Sequence, residues 1–344
     1  MKTRTRLAVI GAGVIGRLHV ETALRDAHCD VVAVSDPSPE SEEFARRRGL
    51  RWFGNSRHLL EESQLDGVVI ATPNSSHVEI ALDCINREIP VLVEKPIADT
   101  VSDAARLVSA SREHKVPVLV GHHRRHNVVV RRAKELINDG CIGEPITVNG
   151  LYTFFKPDTY FEARWRRESG GGPVLINLIH EIDMLRFLLG EIEQVQAMTS
   201  NAHRGFEVED TANVLLRFRG GAIGTLTVSD CVASPWAWDL AAGEAAQFGR
   251  TNVNTHFLTG SEGSIALPRL DVWNYRSGKG WHEEMTVERT HLHHADPFEE
   301  QIRHFRSVIT RDEVPLCSAE DALRTLSATH AVHEAARTGS TVSI

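Results

Sequence analysis

The chain has 344 residues, more than one ordinary domain holds, and its length therefore predicts two domains. A composition of 42% hydrophobic and 24% charged residues is typical of a globular protein, and the net charge of -8 gives no electrostatic case for nucleic acid or an anionic membrane. No apolar run approaches the roughly 20 residues that span a bilayer. We therefore expect neither nucleic acid nor a membrane as a partner.

The sequence also predicts a cytoplasmic location. Its first stretch, MKTRTRLAVIGAG, passes from a short basic tip into a strand, without the apolar length and cleavage site of a signal peptide. Reduced thiols are expected, because the cysteines lie far apart and form no CxxC pair. They stand at positions 29, 84, 141, 231 and 317.

The first 122 residues alternate between predicted strands and helices. The strands are continuous runs of valine, isoleucine and leucine, as in a parallel sheet covered on both faces. This pattern predicts a doubly wound α/β fold. In chain order we expect strand 6–13, helix 14–26, strand 30–36, helix 38–49 capped by Ser38, strand 65–73, helix 75–87 capped by Ser75, strand 89–96, helix 100–115 and strand 116–122.

The remaining residues predict an α+β domain with a large, mostly antiparallel open sheet. The predicted domains are therefore 1–122 and 123–344, with the final helices able to pack back on the first. After a helix and turn at 128–145, we expect strand 146–155, helix 173–190 ended by Gly190, strand 195–203, a hairpin at 211–230 turning at Gly220-Gly221, a second strand pair at 254–268, and closing helices at 296–311 and 318–338.

The stretch GAGVIG (11–16) matches the GxGxxG pattern of dinucleotide-binding loops. It follows a predicted strand and opens a predicted helix, which is the context that the pattern requires. Gly11 permits a tight turn, Gly13 lets the backbone approach a pyrophosphate, and Gly16 lets the helix pack close to the strand. The helix N-terminus, with Val14 and Ile15, then offers N–H groups to the phosphates.

Asp36 ends the second strand, about 20 residues after the glycine loop, where the fingerprint expects an acidic residue. Its carboxylate is suited to accept hydrogen bonds from the adenosine ribose and would repel a 2′-phosphate. We therefore expect NAD as the cofactor, with NADP a possible alternative.

The stretch ATPNSSH (71–77) follows the fourth strand, at the same sheet edge as the glycine loop. Its small and polar residues are suited to line the cofactor, although a simple loop with a helix cap also explains part of the pattern. The predicted cofactor contacts are Ala71, Thr72, Pro73, Asn74 and His77.

Glu94-Lys95-Pro96 ends the apolar strand VLV, where ligands bind in open parallel sheets. Lys95 is therefore a candidate proton donor and acceptor, with a pKa lowered by burial and by a positive nicotinamide. Glu94 is a candidate contact of the nicotinamide ribose, and Pro96 restricts Lys95 to an extended backbone. The alternative is a surface ion pair at a strand end.

Two groups of histidines stand out, HHRRH (122–126) and HLHH (291–294). No carboxylate or cysteine completes a local ligand set, so we expect no metal. Surface or substrate-binding roles remain for these histidines. A further histidine, His180, lies on the amphipathic helix, three residues after Asn177 and on nearly the same face.

These residues together resemble the glucose–fructose oxidoreductase/inositol dehydrogenase/rhizopine-catabolism (Gfo/Idh/MocA) family along essentially the whole chain. The order and spacing of the motifs carry the resemblance: GAGVIG, ATPNSSH, VLVEKPIA, INDGCIGEP, SGGGP with IHEIDMLRFLLG, and DPFEEQIRHF. It implies a Rossmann domain followed by a substrate-binding domain whose open sheet often forms homodimer or homotetramer contacts. It also implies oxidation or reduction of sugars, polyols and related ring alcohols with NAD or NADP.

The resemblance assigns the catalytic lysine to Lys95 and the site histidine to His180, and makes Asn177 a substrate contact. Many family dehydrogenases have an aspartate four residues before that histidine, where this chain has Ile176. Either Lys95 carries the acid–base step with His180 orienting the substrate, or an acidic group from elsewhere replaces the aspartate, or the activity is lost.

By position in the family, further residues border the nicotinamide and substrate. They are His123, as a substrate contact, Arg125, and Trp165 and Arg166, as cofactor contacts; His293 and His294 are candidates to close the site.

We therefore expect an NAD(P)-dependent dehydrogenase acting on a secondary alcohol of a sugar, polyol or cyclic alcohol, with Lys95 as acid–base. The alternatives are an NADPH-dependent reductase, a dihydrodiol dehydrogenase of the same fold, or a non-catalytic dinucleotide-binding sensor.

Overall fold

The computed structural model describes residues 4–244, 248–276, 278–293 and 295–344. The chain divides into two compact units, residues 1–126 with 295–326, and residues 127–294 with 327–344. The segment 295–326 thus belongs to the first unit, and the division between residues 122 and 123 stays a prediction. Within the described part of the chain, no helix is both long enough and apolar enough to cross a membrane.

The first unit has the doubly wound α/β fold that the sequence predicts. Its six strands are parallel, in the order β3-β2-β1-β4-β5-β6, so the strand order reverses beside β1. The elements are β1 (Thr5–Ile10), α1 (Val14–Arg25), β2 (Cys29–Ser35), α2 (Pro39–Arg47), β3 (Arg51–Phe53), α3 (Ser56–Glu62), β4 (Gly67–Ile70), α4 (His77–Ile85), β5 (Val91–Val93), α5 (Val101–His114) and β6 (Val118–Val120).

Both faces of this sheet are covered, because successive side chains along a strand point to opposite sides. Leu7 and Val9 of β1 pack in one apolar cluster with α1, while Ala8 and Ile10 pack in the other with α4 and α5. Every residue of β4 and β5 is buried. The continuous apolar runs in the sequence therefore reflect burial on two faces.

Two local predictions in this unit were incomplete or wrong. The short elements β3 and α3 were not predicted, because three and seven residues give no clear period. Ser75 does not cap α4: it lies in a 3₁₀ turn, Asn74–Ser76, and Ser76 occupies the cap position. Ser38 does occupy the N-cap of α2, without a capping hydrogen bond from its side chain.

The second unit contains a nine-stranded sheet in the order β14-β13-β12-β11-β7-β10-β9-β8-β15. All neighbouring strands are antiparallel except β7 and β10, which confirms the mostly antiparallel prediction. The remaining elements in chain order are α6 (Val128–Asn138), β7 (Pro145–Thr153), α7 (Ile179–Leu189), β8 (Ile192–Ser200), β9 (Thr211–Phe218), β10 (Ile223–Ser229), α8 (Trp238–Ala241), β11 (His256–Gly260), β12 (Gly263–Leu267), β13 (Asp271–Tyr275), β14 (Met285–Arg289), α9 (Pro297–Ile309), α10 (Ala319–Thr338) and β15 (Val342–Ser343).

The sheet of the second unit has one covered and one exposed face. Residues of α6, α7 and the second half of α10 pack with alternate strand residues in a single apolar cluster. The other side, here called the open face, carries several exposed apolar side chains whose strand registers place them on the same side. They are Met198, Leu215, Ile223, Phe257, Trp273 and Val287.

The predicted helix 173–190 is interrupted at its start. A π turn spans Val174–Leu178, in which the N–H of Ile179 reaches the carbonyl of Val174, and α7 begins after it. The helical spacing assumed for Asn177 and His180 therefore does not hold through this turn. Strands β13, β14 and β15 were also not predicted, and the mainly exposed β14 shows why, since it has little apolar alternation.

The glycines before this helix are each required by their surroundings. Gly170 has φ +90°, a Cβ on Gly171 would lie 2.2 Å from the carbonyl oxygen of Trp165, and one on Gly172 would lie 2.3 Å from the carboxylate of Glu209. That carboxylate also accepts the N–H of Val174 at 2.9 Å. A negative charge thus binds the N-terminus of the helix that carries His180.

Candidate functional site

The loop after β1 is built by close contact between two backbones. A Cβ on Gly11, where φ is +94°, would lie 2.4 Å from the carbonyl oxygen of Ala71, and one on Gly16 would lie 1.9 Å from that of Gly11. A Cβ on Gly13 would meet nothing within 4 Å. Gly11 and Gly16 are thus required by the fold, while Gly13 borders open space.

The N-terminus of α1 adjoins this open space. Gly13 is its N-cap and makes no side-chain capping bond, and the first turn carries no acidic residue. The N–H groups of such a turn and the helix dipole favour an anion. Val14 and Ile15, the first two residues, are 86% and 40% exposed despite being apolar. A bound group that covers them would remove this apolar surface from water.

Asp36 stands directly after β2 with a fixed side chain. One carboxylate oxygen accepts the N–H of Ala12 at 2.8 Å and the other accepts the N–H of Ser38 at 2.9 Å. Partial burial opposes ionisation, but the hydrogen bonds outweigh it and hold the pKa of Asp36 below its ordinary value. The residue therefore presents a negative charge beside the glycine loop at neutral pH.

The loop 71–77 is tied to the end of β5 by His77. One ring nitrogen of His77 lies 2.9 Å from the carbonyl oxygen of Thr72, and the other lies 2.9 Å from that of Pro96. Burial lowers the pKa of His77 in spite of these carbonyls, so the ring is neutral at pH 7 and donates to one of them at a time. Ala71, Thr72 and Asn74 are half-buried and Pro73 is exposed.

The carboxylate of Glu94 is bound inside the first unit. Its Oε1 lies 2.7 Å from Nε2 of His19 on α1, and its Oε2 accepts the N–H of Lys95 at 3.1 Å. A Cβ on Gly121 would lie 2.9 Å from this carboxylate. Burial opposes the ionisation of Glu94, but the hydrogen bond from His19 and the nearby positive charges hold its pKa below the ordinary value.

The ring of His19 contacts Glu94 through one nitrogen, Nε2. The other ring nitrogen, Nδ1, is buried and has no hydrogen-bond partner among the described residues. The pair thus connects the helix after the glycine loop to the backbone of half-buried Lys95. The Lys95-Pro96 peptide bond is cis.

His123 and Arg125 have different surroundings in the first unit. The ring of half-buried His123 stacks on Phe298 at 4.7 Å, and the same Phe298 meets His19 edge-on at 5.7 Å. The guanidinium of buried Arg125 pairs with Asp321 and donates to the carbonyl of Leu316 at 3.1 Å. Arg125 therefore contributes to packing between the end of β6 and the start of α10.

Asn177 and His180 are both buried in the second unit, each 8% exposed. The side-chain oxygen of Asn177 accepts from Nζ of Lys156 at 2.7 Å, and its Nδ2 donates to the hydroxyl of Tyr152 at 3.0 Å. That hydroxyl in turn donates to Asp239. Asn177 thus lies inside a polar chain that the sequence did not predict.

Lys156 is itself buried, with Nζ 3.5 Å from the carboxylate of Asp230. Burial lowers the pKa of Lys156 to about 8, against the raising effect of Asp230. Burial also raises the pKa of Asp230, although Lys156 and Arg204 oppose this. Both shifts favour the neutral forms, because desolvation outweighs their mutual attraction.

The other predicted residues of the second unit lie nearer its surface. Trp165 is 55% exposed, and the guanidinium of half-buried Arg166 stacks on the ring of Tyr160 at 3.9 Å. His293 is exposed. His294 lies outside the described residues.

The structure thus brings the glycine loop, Asp36, the 71–77 loop and Glu94-Lys95 together at the carboxyl edge of one sheet. Lys95 and His180 belong to different units. Sequence reasoning missed His19, Lys156 and Glu209. A histidine in α1 at an otherwise apolar position was a signal for His19, whereas the other two become visible only with tertiary contacts.

Two family models match the chain. The oxidoreductase family with an NAD-binding Rossmann fold matches residues 5–122, and the GFO/IDH/MocA C-terminal domain matches residues 130–266. Together they span most of the sequence.

Curated relatives agree with these matches. The 1,5-anhydro-D-fructose reductase of Ensifer adhaerens is 29% identical over 98% of both chains, and the NAD(+)-dependent scyllo-inositol 2-dehydrogenase of Bacillus subtilis is 27% identical over 100% of this chain and 97% of that protein. The rhizopine catabolism protein MocA of Rhizobium meliloti is 31% identical over 55% of this chain, a match that spans 58% of that protein.

Solved structures show the same fold. The WlbA dehydrogenase from Bordetella pertussis, in complex with NADH and UDP-GlcNAcA, has a TM-score of 0.80 at 24% identity, over 99% of both chains. The aldose-aldose oxidoreductase from Caulobacter crescentus, complexed with glycerol, has a TM-score of 0.81 at 22% identity, over 99% of this chain and 100% of that one. The chain therefore belongs to the GFO/IDH/MocA family of oxidoreductases, and its residues 5–122 form the NAD-binding Rossmann fold of that family.

Proposed function

We propose that the protein is an NAD-dependent dehydrogenase that oxidises a secondary alcohol of a sugar, polyol or related cyclic alcohol. The observation that carries the proposal is the open space at Gly13 beside an uncapped helix N-terminus and a fixed carboxylate, Asp36. These groups fit a dinucleotide, with the pyrophosphate at the helix and the ribose at the carboxylate. The names of the relatives support the class of alcohol.

The bound dinucleotide supplies the hydride acceptor. The residues proposed to bind and orient it are Gly11–Gly16, Asp36, Ala71–Asn74, Trp165 and Arg166. Lys95 takes the proton of the substrate hydroxyl in oxidation and returns it in reduction. His123, Asn177 and His180 are the proposed substrate contacts.

Glu94 is proposed to position Lys95, since both of its carboxylate oxygens are engaged by His19 and by the N–H of Lys95. Its contact with the nicotinamide ribose stays a prediction. His77 is proposed to act in the same indirect way, by joining the backbone of the 71–77 loop to that of Pro96.

The direct test is a screen of sugars, inositols and linear polyols for NADH or NADPH formation at 340 nm, at several pH values. Turnover with one member of these classes and NAD supports the proposal. Turnover only with NADPH and a ketone supports the reductase, and turnover of an aromatic dihydrodiol supports that dehydrogenase. Tight NADH binding without turnover of any of these compounds would support the sensor.

A cytoplasmic location belongs to the same proposal. All five cysteines are free thiols, and three of them are buried. Reduced cysteines are usual for cytoplasmic proteins.

Lys95→Met should abolish most of the turnover while leaving cofactor binding intact. Methionine keeps the length of the side chain but cannot carry a proton, and a positioned acid–base contributes about 10²–10⁴-fold to kcat. Stopped-flow or steady-state kinetics with the substrate from the screen gives kcat, and fluorescence titration gives the Kd for NADH. Wild-type kcat in this variant would remove Lys95 from the mechanism.

Gly13→Ala and Gly11→Ala should separate cofactor binding from folding. The added methyl group at position 13 meets no protein atom but occupies the space that a pyrophosphate needs, so the Kd for NADH should rise about tenfold or more with an unchanged Tm. At position 11 the methyl group clashes with Ala71, so Tm should fall. Equal NADH affinity of wild type and Gly13→Ala would argue against the proposed pyrophosphate position.

Asp36→Ser should shift the preference from NADH toward NADPH. The substitution removes the negative charge that would repel a 2′-phosphate but keeps a short acceptor for the N–H of Ala12. We expect the ratio of the NADPH and NADH dissociation constants to change by about tenfold or more. Tighter binding of NADPH than of NADH by the wild type would contradict the proposed role.

The open face of the second sheet is the proposed contact between copies of the chain, as a homodimer or homotetramer. Its exposed apolar residues include Met198, at 80%, and Leu215, at 53%. Several exposed apolar side chains on one sheet face are typical of an interaction site. Leu215→Asp should therefore reduce the mass measured by light scattering, whereas Val314→Asp, at an equally apolar and 83% exposed position of the first unit, should not. A monomeric wild type would refute the contact.

A further inference from the structure

The carboxamide of Asn177 has a defined direction because its two partners differ. A lysine ammonium has donors and no acceptor, so the side-chain oxygen must face Lys156. On the other side, the Tyr152 hydroxyl gives its proton to Asp239 and offers a lone pair to Nδ2 of Asn177. Reversing the amide would place its NH₂ group against the ammonium and its oxygen against the tyrosine lone pairs. Among the described residues, the second N–H of Asn177 meets no acceptor, so it is left for another one.

We propose that Lys156 is a positioning residue, which fixes the direction of the Asn177 carboxamide so that its remaining N–H is presented to a substrate oxygen. The inference rests on the proposed function, in which Asn177 is a substrate contact. Lys156 acts through Asn177 and is itself only 4% exposed. An oxygen that accepts a hydrogen bond, such as that of a hydroxyl or carbonyl group, is the substrate group that this arrangement selects.

The hydrogen bond that orients Asn177 depends on the charge of Lys156, because a neutral amine has a lone pair and can accept from an amide N–H. The groups that face Lys156 are Asp230 at 3.5 Å, the ring of Tyr160 at 4.8 Å and that of Phe154 at 5.9 Å. Arg204 is paired with Asp230 at 2.9 Å, and Asp239 contributes from beyond Tyr152. With the pKa of Lys156 at about 8, the constraint weakens as pH rises through that value.

The first measurement needs no substrate. In protein labelled with ¹⁵N-asparagine, the side-chain NH₂ signals of Asn177 are identified by their loss in Asn177→Ser. In the wild type these signals should shift between pH 7 and 9.5 with a midpoint near 8. Lys156→Met should move the signals at pH 7 and abolish the titration, while Lys279→Met, at a half-exposed surface lysine of the same unit, should behave as wild type. An identical, non-titrating Asn177 signal in wild type and Lys156→Met would overturn the inference.

Lys156→Gln covers the case in which Lys156→Met does not fold. Its amide retains N–H donors without a titrating charge, so the Asn177 signal should remain closer to that of the wild type than in Lys156→Met, and should not titrate. A titration midpoint near 8 that persists in Lys156→Gln would assign the effect to another group and overturn the inference.

The free energy of unfolding gives an independent readout of the buried amine. The folded-state pKa of Lys156 is lowered from 10.5 to about 8, so the unfolded chain binds more protons than the folded chain between these pH values. The stability of the wild type relative to Lys156→Gln should therefore rise from pH 8 to 10.5. A flat difference across this window would contradict the assigned state of Lys156.

Kinetics then separate the inference from the function on which it rests. With the substrate from the screen, Lys156→Met should raise KM about tenfold, as expected for one misdirected hydrogen bond, and change kcat much less. Lys156→Gln should raise KM less than Lys156→Met. If the Asn177 signals respond as predicted but KM does not, Lys156 orients Asn177 and the proposed substrate contact is refuted.

Discussion

The fold of the first unit depends on a close contact between two backbone segments. They lie so near each other that no side chain fits between them. The carbonyl of Ala71 lies against the α-carbon of Gly11, and the carbonyl of Gly11 lies against that of Gly16. This contact joins the loops after β1 and β4, the two central strands at which the strand order of the parallel sheet reverses. Ligands of open α/β sheets bind at such points. The same contact that closes the fold thus forms the floor of the proposed dinucleotide site.

Buried polar bonds connect this floor to Lys95 from two sides. His77 joins the carbonyl groups of Thr72 and Pro96, and Glu94 joins His19 of α1 to the N–H of Lys95. Removing one partner of a buried hydrogen bond leaves the other unsatisfied at a cost of roughly 1–3 kcal/mol, so these bonds hold their elements in one arrangement. These bonds therefore fix the backbone of Lys95 relative to the glycine loop.

The sequence predicted most of the architecture, because long apolar strands and glycine loops are local signals. The parallel strands β4 and β5 are apolar throughout, and β1 is apolar from Leu7 onward, since both sheet faces are covered; the GAGVIG loop carries its own spacing rule. The failures have physical causes too. β3 and α3 are too short to show a period, β14 has too little buried surface, and the π turn before α7 breaks the 3.6-residue rule.

Within the candidate site, residue type was easier to predict than orientation. Asp36 and Gly13 could be interpreted from their spacing, because their surroundings are backbone. The partners of Glu94, His77 and Asn177 come from residues 75, 19 and 21 positions away, respectively, as well as from nearer ones, and no spacing rule contains them. All three side chains are hydrogen-bonded inside their own units. For Glu94 and His77, this favours positioning roles over the direct cofactor contacts that their chemistry alone indicates.

The isoleucine at position 176 changes where charge can reside beside α7. A family aspartate there would supply a carboxylate one turn before His180, whereas the groups next to Asn177 are the amine of Lys156 and the phenol of Tyr152. The carboxylates behind them, Asp230 and Asp239, are already bound by Lys156 with Arg204 and by Tyr152. Position 176 therefore offers no acidic relay, and the proposed proton transfer is assigned to Lys95. In the proposed function Asn177 contributes a hydrogen bond rather than a charge, a role for which an amide held between two partners is suited.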